Sequence, residues 1–313
     1  MSYISICLKG LEKVAEKETK GKQILPGRVE FKVLPKKSKT KEFKSINKIY
    51  KLLIRFEFKD KEDILKEFKK LKIKIKKKFR VDCDREGEHD FKSVEIEKLI
   101  GVYLQKDSYE LDFKTPQTIV FIDIIDKNCL VGLLLKEDLQ KRNYRVKLNP
   151  DTLNPCIAYS ALQLADYKKG DIILDPFCRD GIIVIEAAIM KKGKVYGFDK
   201  NIRNARINSK IAKVDINFSQ NEIDWLDTKF KKNSVKVVTY LPSLSKRHNE
   251  NDIRRIYSEL THQFNYVVKD KMALILRKTD LIKEYLSNFK IEKELNVQLG
   301  SDSFSILILK KIY

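Results

Sequence analysis

The spacing of hydrophobic and polar positions changes about halfway along the chain. Residues 3–8 alternate between apolar and polar side chains, and 72–76 do so again with lysines on one face. A period of two predicts short strands, whereas the amphipathic spacing of 10–18 and 63–71 predicts helices. The first half of the chain is therefore predicted to be a mixture of short strands and helices of the α+β kind.

From about residue 155 the pattern becomes one of buried strands alternating with helices. The apolar runs 172–176 and 194–199 predict strands, each followed by a predicted helix, and 291–298 with 303–310 predict a closing antiparallel pair. Strict alternation of β and α predicts a parallel, doubly wound α/β sheet. We place domain boundaries to give segments 1–60 and 61–135, a basic connector 136–154, and an α/β domain 155–313.

Positive charge is concentrated at the front of the chain. Lys and Arg number 65 against 44 Asp and Glu, a net charge of +21. Residues 1–80 carry 26 basic and 10 acidic side chains, so 26 − 10 = +16 of that charge lies there. Such an uneven field suits a polyanion, and nucleic acid is the usual one.

Other features narrow the class of protein. No apolar run approaches the roughly 18 residues that a membrane span needs, and the first residues resemble a strand rather than a signal peptide. Five scattered cysteines without a C-x-x-C pair and three separated histidines indicate neither a disulfide framework nor a metal site. These features predict a cytoplasmic protein that uses no metal and has no membrane partner.

Acidic residues stand at or just beyond the ends of three predicted strands. Asp175 opens a turn that leads directly into a helix, Asp199 follows the next strand, and Asp224 precedes Trp225. Ligands of an open α/β sheet lie beyond the carboxyl ends of its strands, where Asp199 can bind a ribose and Asp224 an adenine amino group. Each acid alone is more often a cap or turn residue, but three together favour a binding site for a nucleotide-like ligand. NAD is the weaker candidate for that ligand, because the turn lacks the G-x-G-x-x-G of a dinucleotide site. The candidate ligand-binding residues are Asp175, Phe177, Cys178, Arg179, Gly181, Asp199, Asp224 and Trp225.

These motifs resemble a known family. The turn 175–181 and its helix resemble the Asp-Pro-x-Cys-Gly-Ser-Gly opening of Rossmann-fold, class I methyltransferases, over residues 172–313. Residues 79–104 resemble a THUMP domain, so segment 61–135 is expected to be that domain. Residues 10–18 resemble the start of the ferredoxin-like domain that precedes THUMP, so segment 1–60 is expected to be ferredoxin-like, and 141–155 resemble the linker that follows THUMP. The order of these segments is similar to that in the THUMP-containing tRNA guanine-N2 methyltransferases of archaea and eukaryotes.

The resemblance implies S-adenosyl-L-methionine as cofactor, tRNA as partner and the exocyclic N2 amine of a guanosine as target. It leaves open whether a small activating protein subunit takes part. From the charge pattern and the resemblance together, the candidate RNA-binding residues are Lys74, Lys76, Lys78, Arg80, Lys92, Lys141, Arg142 and Arg145.

Two positions depart from the family pattern. Arg179 and Asp180 replace Gly-Ser in the turn, where Arg179 either crowds the carboxypropyl end of the cofactor or pairs with its carboxylate. Tyr240, Leu241, Pro242 and Ser243 replace Asn/Asp-Pro-Pro-Tyr/Phe, whose first side chain and a backbone carbonyl accept hydrogen bonds from the target amine. The Leu241 carbonyl can still accept, Tyr240 can stack or donate, and Ser243 can accept.

Three hypotheses follow from these residues. The first is a tRNA methyltransferase that uses residues 240–243 as its catalytic segment. The second, suggested by the altered segment, is an RNA-binding pseudo-methyltransferase that acts as a scaffold or partner subunit. The third is an α/β enzyme for a small acidic substrate, with a front segment that only confers solubility.

Overall fold

The computed structural model describes residues 1–34, 43–71, 73–106, 109–220, 225–242 and 249–312. The chain divides into two compact units. One comprises Met1–Cys7 and Ala15–Leu139, and the other comprises Leu8–Val14 and Gln140–Tyr313.

The first unit is built on a mixed sheet. Its strands are β1 (Ser2–Cys7), β2 (Lys22–Leu25), β3 (Arg28–Phe31), β4 (Ile46–Glu57), β5 (Lys78–Glu86), β6 (Glu110–Leu111), β7 (Thr118–Ile125) and β8 (Asn128–Lys136). In the described residues they form one sheet in the order β2-β3-β1-β4-β8-β7-β5-β6. The helices in this part of the chain are α1 (Glu12–Thr19), α2 (Lys61–Lys70) and α3 (Ser93–Gln105).

The sheet runs without a break past residue 60, where the sequence predicts a domain boundary. Strand β4 pairs with β1 on one side and with β8 on the other. At residue 60 the structure has the start of helix α2, where the Asp60 side chain accepts a hydrogen bond from the Asp63 amide. The segments 1–60 and 61–135 therefore contribute strands to the same sheet.

The strand predicted at 72–76 is wrong for its described residues. Residues 73–77 are not in a strand, and β5 begins only at Lys78. Ile73 and Ile75 pack partly buried against the core that includes Phe68 and Phe79, so the alternating pattern arises from an irregular segment with one apolar side.

A buried ionic cluster fastens this sheet across its width. The Arg28 guanidinium donates from Nε and Nη2 to Asp123 at 2.8 and 2.6 Å, and from Nη1 to Glu86 at 2.7 Å. The Tyr50 hydroxyl donates to Asp123 at 2.9 Å. A paired and hydrogen-bonded charge such as this is the form in which proteins tolerate buried ions.

The second unit contains the predicted doubly wound sheet. Its elements are α4 (Pro155–Leu164), β9 (Ile173–Asp175), α5 (Ile182–Ile189), β10 (Val195–Phe198), α6 (Arg203–Ala212), β11 (Asn217–Ser219), α7 (Leu226–Lys229), β12 (Val235–Tyr240), α8 (Glu250–Val267), β13 (Val268–Leu276), α9 (Asp280–Lys283), β14 (Phe289–Leu299) and β15 (Asp302–Lys311). The strand order is β11-β10-β9-β12-β13-β15-β14.

The strand order of the second unit creates a place for a ligand-binding site. Strands β9 to β13 pair in parallel and β15 is antiparallel to both β13 and β14, so the predicted α/β fold and its closing hairpin are confirmed. The chain order reverses between β9 and β12, and the crevice beyond the carboxyl ends of such strands is where α/β sheets bind ligands. None of the helices within the described residues is long and apolar enough to cross a membrane.

Candidate active site at the carboxyl ends of β9, β10 and β12

Asp175 ends β9 and is buried. Its Oδ1 accepts from the Thr239 hydroxyl at 2.6 Å and from the Phe177 amide at 3.1 Å, so it joins the ends of β9 and β12. Burial raises the pKa of this carboxyl to about 7, although both hydrogen bonds act in the opposite direction. In this structure Asp175 shapes the turn.

Arg179 occupies the middle of the turn in a left-handed conformation, with φ of 47°. Its amide donates to Asp199 Oδ2 at 2.9 Å. Its guanidinium donates to the carbonyls of Phe177 and Tyr240 and lies 4.4 Å from the centroid of the Tyr240 ring. The Arg179 side chain is only 16% exposed, so it covers Tyr240 as part of the site's wall.

Asp199 stands beyond the end of β10, as predicted. Its Oδ1 accepts from the Asn201 amide at 3.0 Å, while Oδ2 accepts from the Arg179 amide. A carboxylate oxygen has two lone pairs, so each still has capacity for a further donor such as a ribose hydroxyl.

Close packing constrains the remainder of the turn. Gly181 begins α5 at φ of 86°, and a Cβ there would lie 3.1 Å from the Ala205 Cβ. Cys178 is buried, its amide donates to the Phe198 carbonyl at 2.8 Å, and burial raises the pKa of its thiol well above the usual range. Cys178 thus serves as a packed residue, and glycine is the favoured residue at 181, where φ is left-handed and the space for a Cβ is tight.

The predicted adenine side is described in part. Asp224 lies outside the described residues, and Trp225 is 56% exposed at the start of α7. A cavity of about 320 Å³ lies nearby on β10, β11 and α7, lined by Phe198, Phe218 and Phe230 among others. Lys229 Nζ lies 4.8 Å from the Phe198 ring centroid, beside this cavity.

Of the altered segment 240–243, the first three residues are described, and Ser243 lies outside. Tyr240 is buried with its ring edge-on to Phe304 at 5.9 Å between centroids, and its hydroxyl donates to Asp151 Oδ1 at 3.1 Å. Burial raises the pKa of this phenol. Leu241 is buried, and the Pro242 carbonyl accepts from the Tyr257 hydroxyl at 2.7 Å. The prediction that Tyr240 stacks on a base is corrected, because Arg179 and Phe304 already contact its ring.

Sequence reasoning missed the residues that the connector brings to this site. Asp151 lies beside Tyr240, and the Thr152 hydroxyl donates to Asp180 at 2.5 Å. Asp180 is buried, which raises its pKa. The sequence pointed to Asp151 and Thr152 only in that both fall inside the motif 149–155, which resembles the family linker.

The Asn208 side chain also fastens the connector to the turn. Asn208 on α6 is buried, and its Oδ1 accepts from the amides of Val146 and Lys147 at 3.2 and 2.9 Å. Its Nδ2 donates to the carbonyls of Lys147 and Asp180 at 2.7 and 2.9 Å. All four hydrogen-bonding positions of this side chain are therefore used.

The candidate RNA-binding residues fall into two groups. Lys74, Lys76, Lys78, Lys92 and Lys141 are exposed, whereas Arg80 is half-buried and pairs with Asp82 through two nitrogens at 2.6 and 2.7 Å. Arg145 is half-buried and donates to the Thr152 hydroxyl at 3.3 Å.

The prediction that Arg142 binds RNA is corrected. Its side chain is 5% exposed, and its Nε pairs with Glu186 at 2.7 Å. Glu186 is itself buried and also accepts from the Tyr144 hydroxyl at 2.6 Å. Arg142 therefore holds the connector to α5.

No group of three or more potential metal ligands occurs among the described residues. Each of the five cysteines is a buried thiol.

The fold is that of a class I methyltransferase. The chain belongs to the family of RMKL-like methyltransferase domains, whose pattern matches residues 142–303, more than half of the chain. A THUMP domain matches residues 44–134. The resemblance drawn from the sequence is thus confirmed, and the chain is an enzyme of the S-adenosylmethionine-dependent methyltransferase class with an RNA-binding module.

Individual proteins support this assignment. A tRNA (guanine(6)-N2)-methyltransferase of Methanocaldococcus jannaschii is 26% identical over 73% of this chain and 74% of its own length. Another of the same name, from Archaeoglobus fulgidus, is 30% identical over 58% of this chain and 47% of its own. The crystal structure of TrmN from Thermus thermophilus shares the fold with a TM-score of 0.83 and 21% identity, covering 99% of each chain.

The residues present fit S-adenosylmethionine. The glycine at 181 lets the turn lead directly into α5 while α6 packs against it, and the carboxylate of Asp199 keeps free lone pairs beyond β10. The N-terminus of a helix beside a tight turn and an acid at the next strand end are the elements with which such a sheet holds a nucleoside.

Proposed function

We propose that this protein methylates tRNA at the exocyclic N2 amine of a guanosine. The observation that carries the proposal is the archaeal relative named tRNA (guanine(6)-N2)-methyltransferase, which aligns over 73% of the chain. A THUMP match followed by a methyltransferase match, in one chain, supports the same assignment. The guanosine at position 6 is accordingly the target that we expect.

The cofactor would be held by the turn 175–181 and by Asp199. We assign Phe177, Cys178, Arg179 and Gly181 to the wall beside it, Asp199 to its ribose, and Asp224 with Trp225 to its adenine. When bound, it would supply a methyl group carried on a sulfonium. The amine lone pair would form the new C–N bond, the electrons of the broken S–C bond would stay on sulfur, and the amine's surplus proton would leave to water.

On the substrate side, the chain's task is to align the amine rather than to remove a proton beforehand. Alignment alone can supply several kcal/mol of barrier lowering. The backbone carbonyl of Leu241 and the side chain of Ser243 are proposed acceptors for the amine.

Exposed lysines would hold the RNA backbone. Lys74, Lys76, Lys78 and Lys92 lie on the first unit, and Lys141 lies at the start of the connector. Arg80 and Arg145 are also proposed to contact RNA, which would require their release from Asp82 and Thr152 respectively. A small activating subunit and a cytoplasmic location also remain predictions.

The test is incubation of purified protein with unmodified tRNA transcript and labelled S-adenosylmethionine, followed by mass spectrometry of the nucleosides. We expect N2-methylguanosine at position 6, and a transcript with adenosine at that position should remain unmethylated. The proposal fails if no methylated nucleoside forms while both tRNA and cofactor bind. That outcome would favour the scaffold hypothesis, for which the comparisons give no support.

A further inference from the structure

Asp151 lies beside Tyr240, the residue that stands where the family motif has its side-chain acceptor. We propose that the Asp151 carboxylate accepts a hydrogen bond from the target amine and so replaces the Asn/Asp side chain of the family motif. The inference rests on the proposed function, because it concerns the amine that this site would methylate.

The geometry around Asp151 ties it to the reacting end of the sheet. Its Oδ1 accepts from the Tyr240 hydroxyl at 3.1 Å, so it adjoins the residue that stands in the family's acceptor position. Arg179 Nη2, from the turn after β9, lies 3.8 Å from Oδ2, and Arg277 Nη2 lies 3.9 Å from Oδ1. The carboxylate is thus placed between the ends of β9, β12 and β13.

The polar groups of Tyr240 are already engaged. Its carbonyl accepts from Arg179, and its ring is enclosed by Arg179 and Phe304. Its hydroxyl proton is directed to Asp151. The tyrosine therefore positions Asp151 rather than receiving the substrate.

Asp151 has capacity left for a donor from the substrate. An ionised carboxylate offers about four lone-pair sites, and Tyr240 uses one of them. The two arginine nitrogens lie beyond hydrogen-bond distance. The Asp151 side chain is 51% exposed, so an amine approaching from solvent can reach it.

An acceptor matters because the lone pair of a guanine amine is delocalised into the ring. A hydrogen bond from one N–H to a fixed oxygen orients the amine and favours the geometry in which its lone pair faces the methyl group. Removing one preorganised hydrogen-bonding group from a transition state typically lowers kcat by about 100-fold.

The test compares Asp151→Ala with Asp151→Asn. Asparagine keeps an acceptor oxygen but removes the charge that faces Arg179 and Arg277. We expect kcat for tRNA methylation to fall about 100-fold in Asp151→Ala and to stay within about tenfold of wild type in Asp151→Asn. Equal losses in both variants would show that the charge, and not the acceptor, is needed, and would overturn the inference.

Asp302→Asn is the matched control. Asp302 is 52% exposed and accepts from Arg277 at 2.8 Å, and within the described residues no hydrogen bond or ion pair joins it to Asp151 or Tyr240. We expect its kcat to remain that of wild type. Thermal unfolding and calorimetric binding of S-adenosylmethionine should be the same in all variants, which separates this role from a structural one.

A binding measurement checks the same contact without turnover. Inosine lacks the N2 amine, so wild type should bind guanosine-containing tRNA a few-fold more tightly than tRNA with inosine at the methylated position. Asp151→Ala should reduce this preference, because only the proposed Leu241 and Ser243 acceptors remain, and Asp151→Asn should keep it. An active wild type whose Asp151→Ala variant is equally active and equally selective overturns this inference alone. A wild type that methylates no tRNA overturns the proposed function and this inference with it.

Discussion

Asp175 makes the second unit sensitive to pH, and replacing it by asparagine should remove that sensitivity. The amide of Asp175→Asn keeps an oxygen in the place of Oδ1, so the hydrogen bonds from Thr239 and Phe177 are retained. The variant differs chiefly in that it cannot ionise. It therefore isolates the cost of a buried charge at the end of β9.

The magnitude follows from the pKa. Burial raises the pKa of Asp175 from an ordinary value of 3.8 to about 7. Between these values the folded state binds a proton that the unfolded state has lost, so stability falls as pH rises. At ~1.4 kcal/mol per pKa unit, the full effect is about 4 kcal/mol above pH 7, and about 2.5 kcal/mol of it develops between pH 5 and pH 8.

The assay is urea unfolding followed by tryptophan fluorescence. The chain has one tryptophan, Trp225, which lies in the second unit, so its emission reports on the unit that contains Asp175. All other titrating groups are common to both proteins and cancel in the difference. We expect the free energy of unfolding of Asp175→Asn minus that of wild type to increase by about 2.5 kcal/mol from pH 5 to pH 8.

Asp166→Asn provides the control. Asp166 is at the surface of the same unit, and Lys168 lowers its pKa. The stabilisation that the Asp166 carboxylate provides is fully present above its ordinary pKa of 3.8. The difference in free energy of unfolding between Asp166→Asn and wild type should therefore not change between pH 5 and pH 8. The reasoning is refuted if the Asp175→Asn difference is equally flat over this range.

Three further changes test the site and the RNA surface. Arg142→Ala should destabilise the second unit by about 3–5 kcal/mol in urea unfolding, because it leaves the buried Glu186 without its ion-pair partner. RNA affinity should be unchanged, and an unaltered urea midpoint would contradict the prediction. Gly181→Ala should lower the free energy of unfolding by at least about 1 kcal/mol, because its φ of 86° is strained for alanine. It should also weaken cofactor binding measured by calorimetry, and wild-type affinity would contradict the assignment of the cofactor to this turn. Replacing Lys74 and Lys76 by alanine should reduce the slope of log K against log salt by about 1 for each lost phosphate contact, in filter binding; an unchanged slope would place the RNA elsewhere.

Periodicity was sufficient for the fold of the second unit. Buried apolar runs separated by helical segments specify β9 to β13, and their alternation leaves few topologies open. The same reasoning failed at 73–77. Alternating apolar and polar side chains show which side of a segment is apolar, but they do not show whether its backbone pairs with another strand. Ile73 and Ile75 face the core from an irregular segment.

The site was predictable only as far as local motifs reach. Asp175 and Asp199 could be placed because each follows a recognisable strand. Arg142 could not, because a basic run does not reveal which member pairs with a buried Glu186 44 residues away. Asp151 meets Tyr240 across 89 residues, a contact that no local pattern encodes.

Asn208 places two parts of the second unit under one constraint. Its oxygen fixes the connector at Val146 and Lys147, and its nitrogen binds the turn at Asp180. No other standard side chain of similar size offers two acceptor and two donor positions in this arrangement. Because all of these partners are backbone groups, the side chains of the connector and the turn can vary without loss of these hydrogen bonds, whereas a substitution at 208 would release both segments at once.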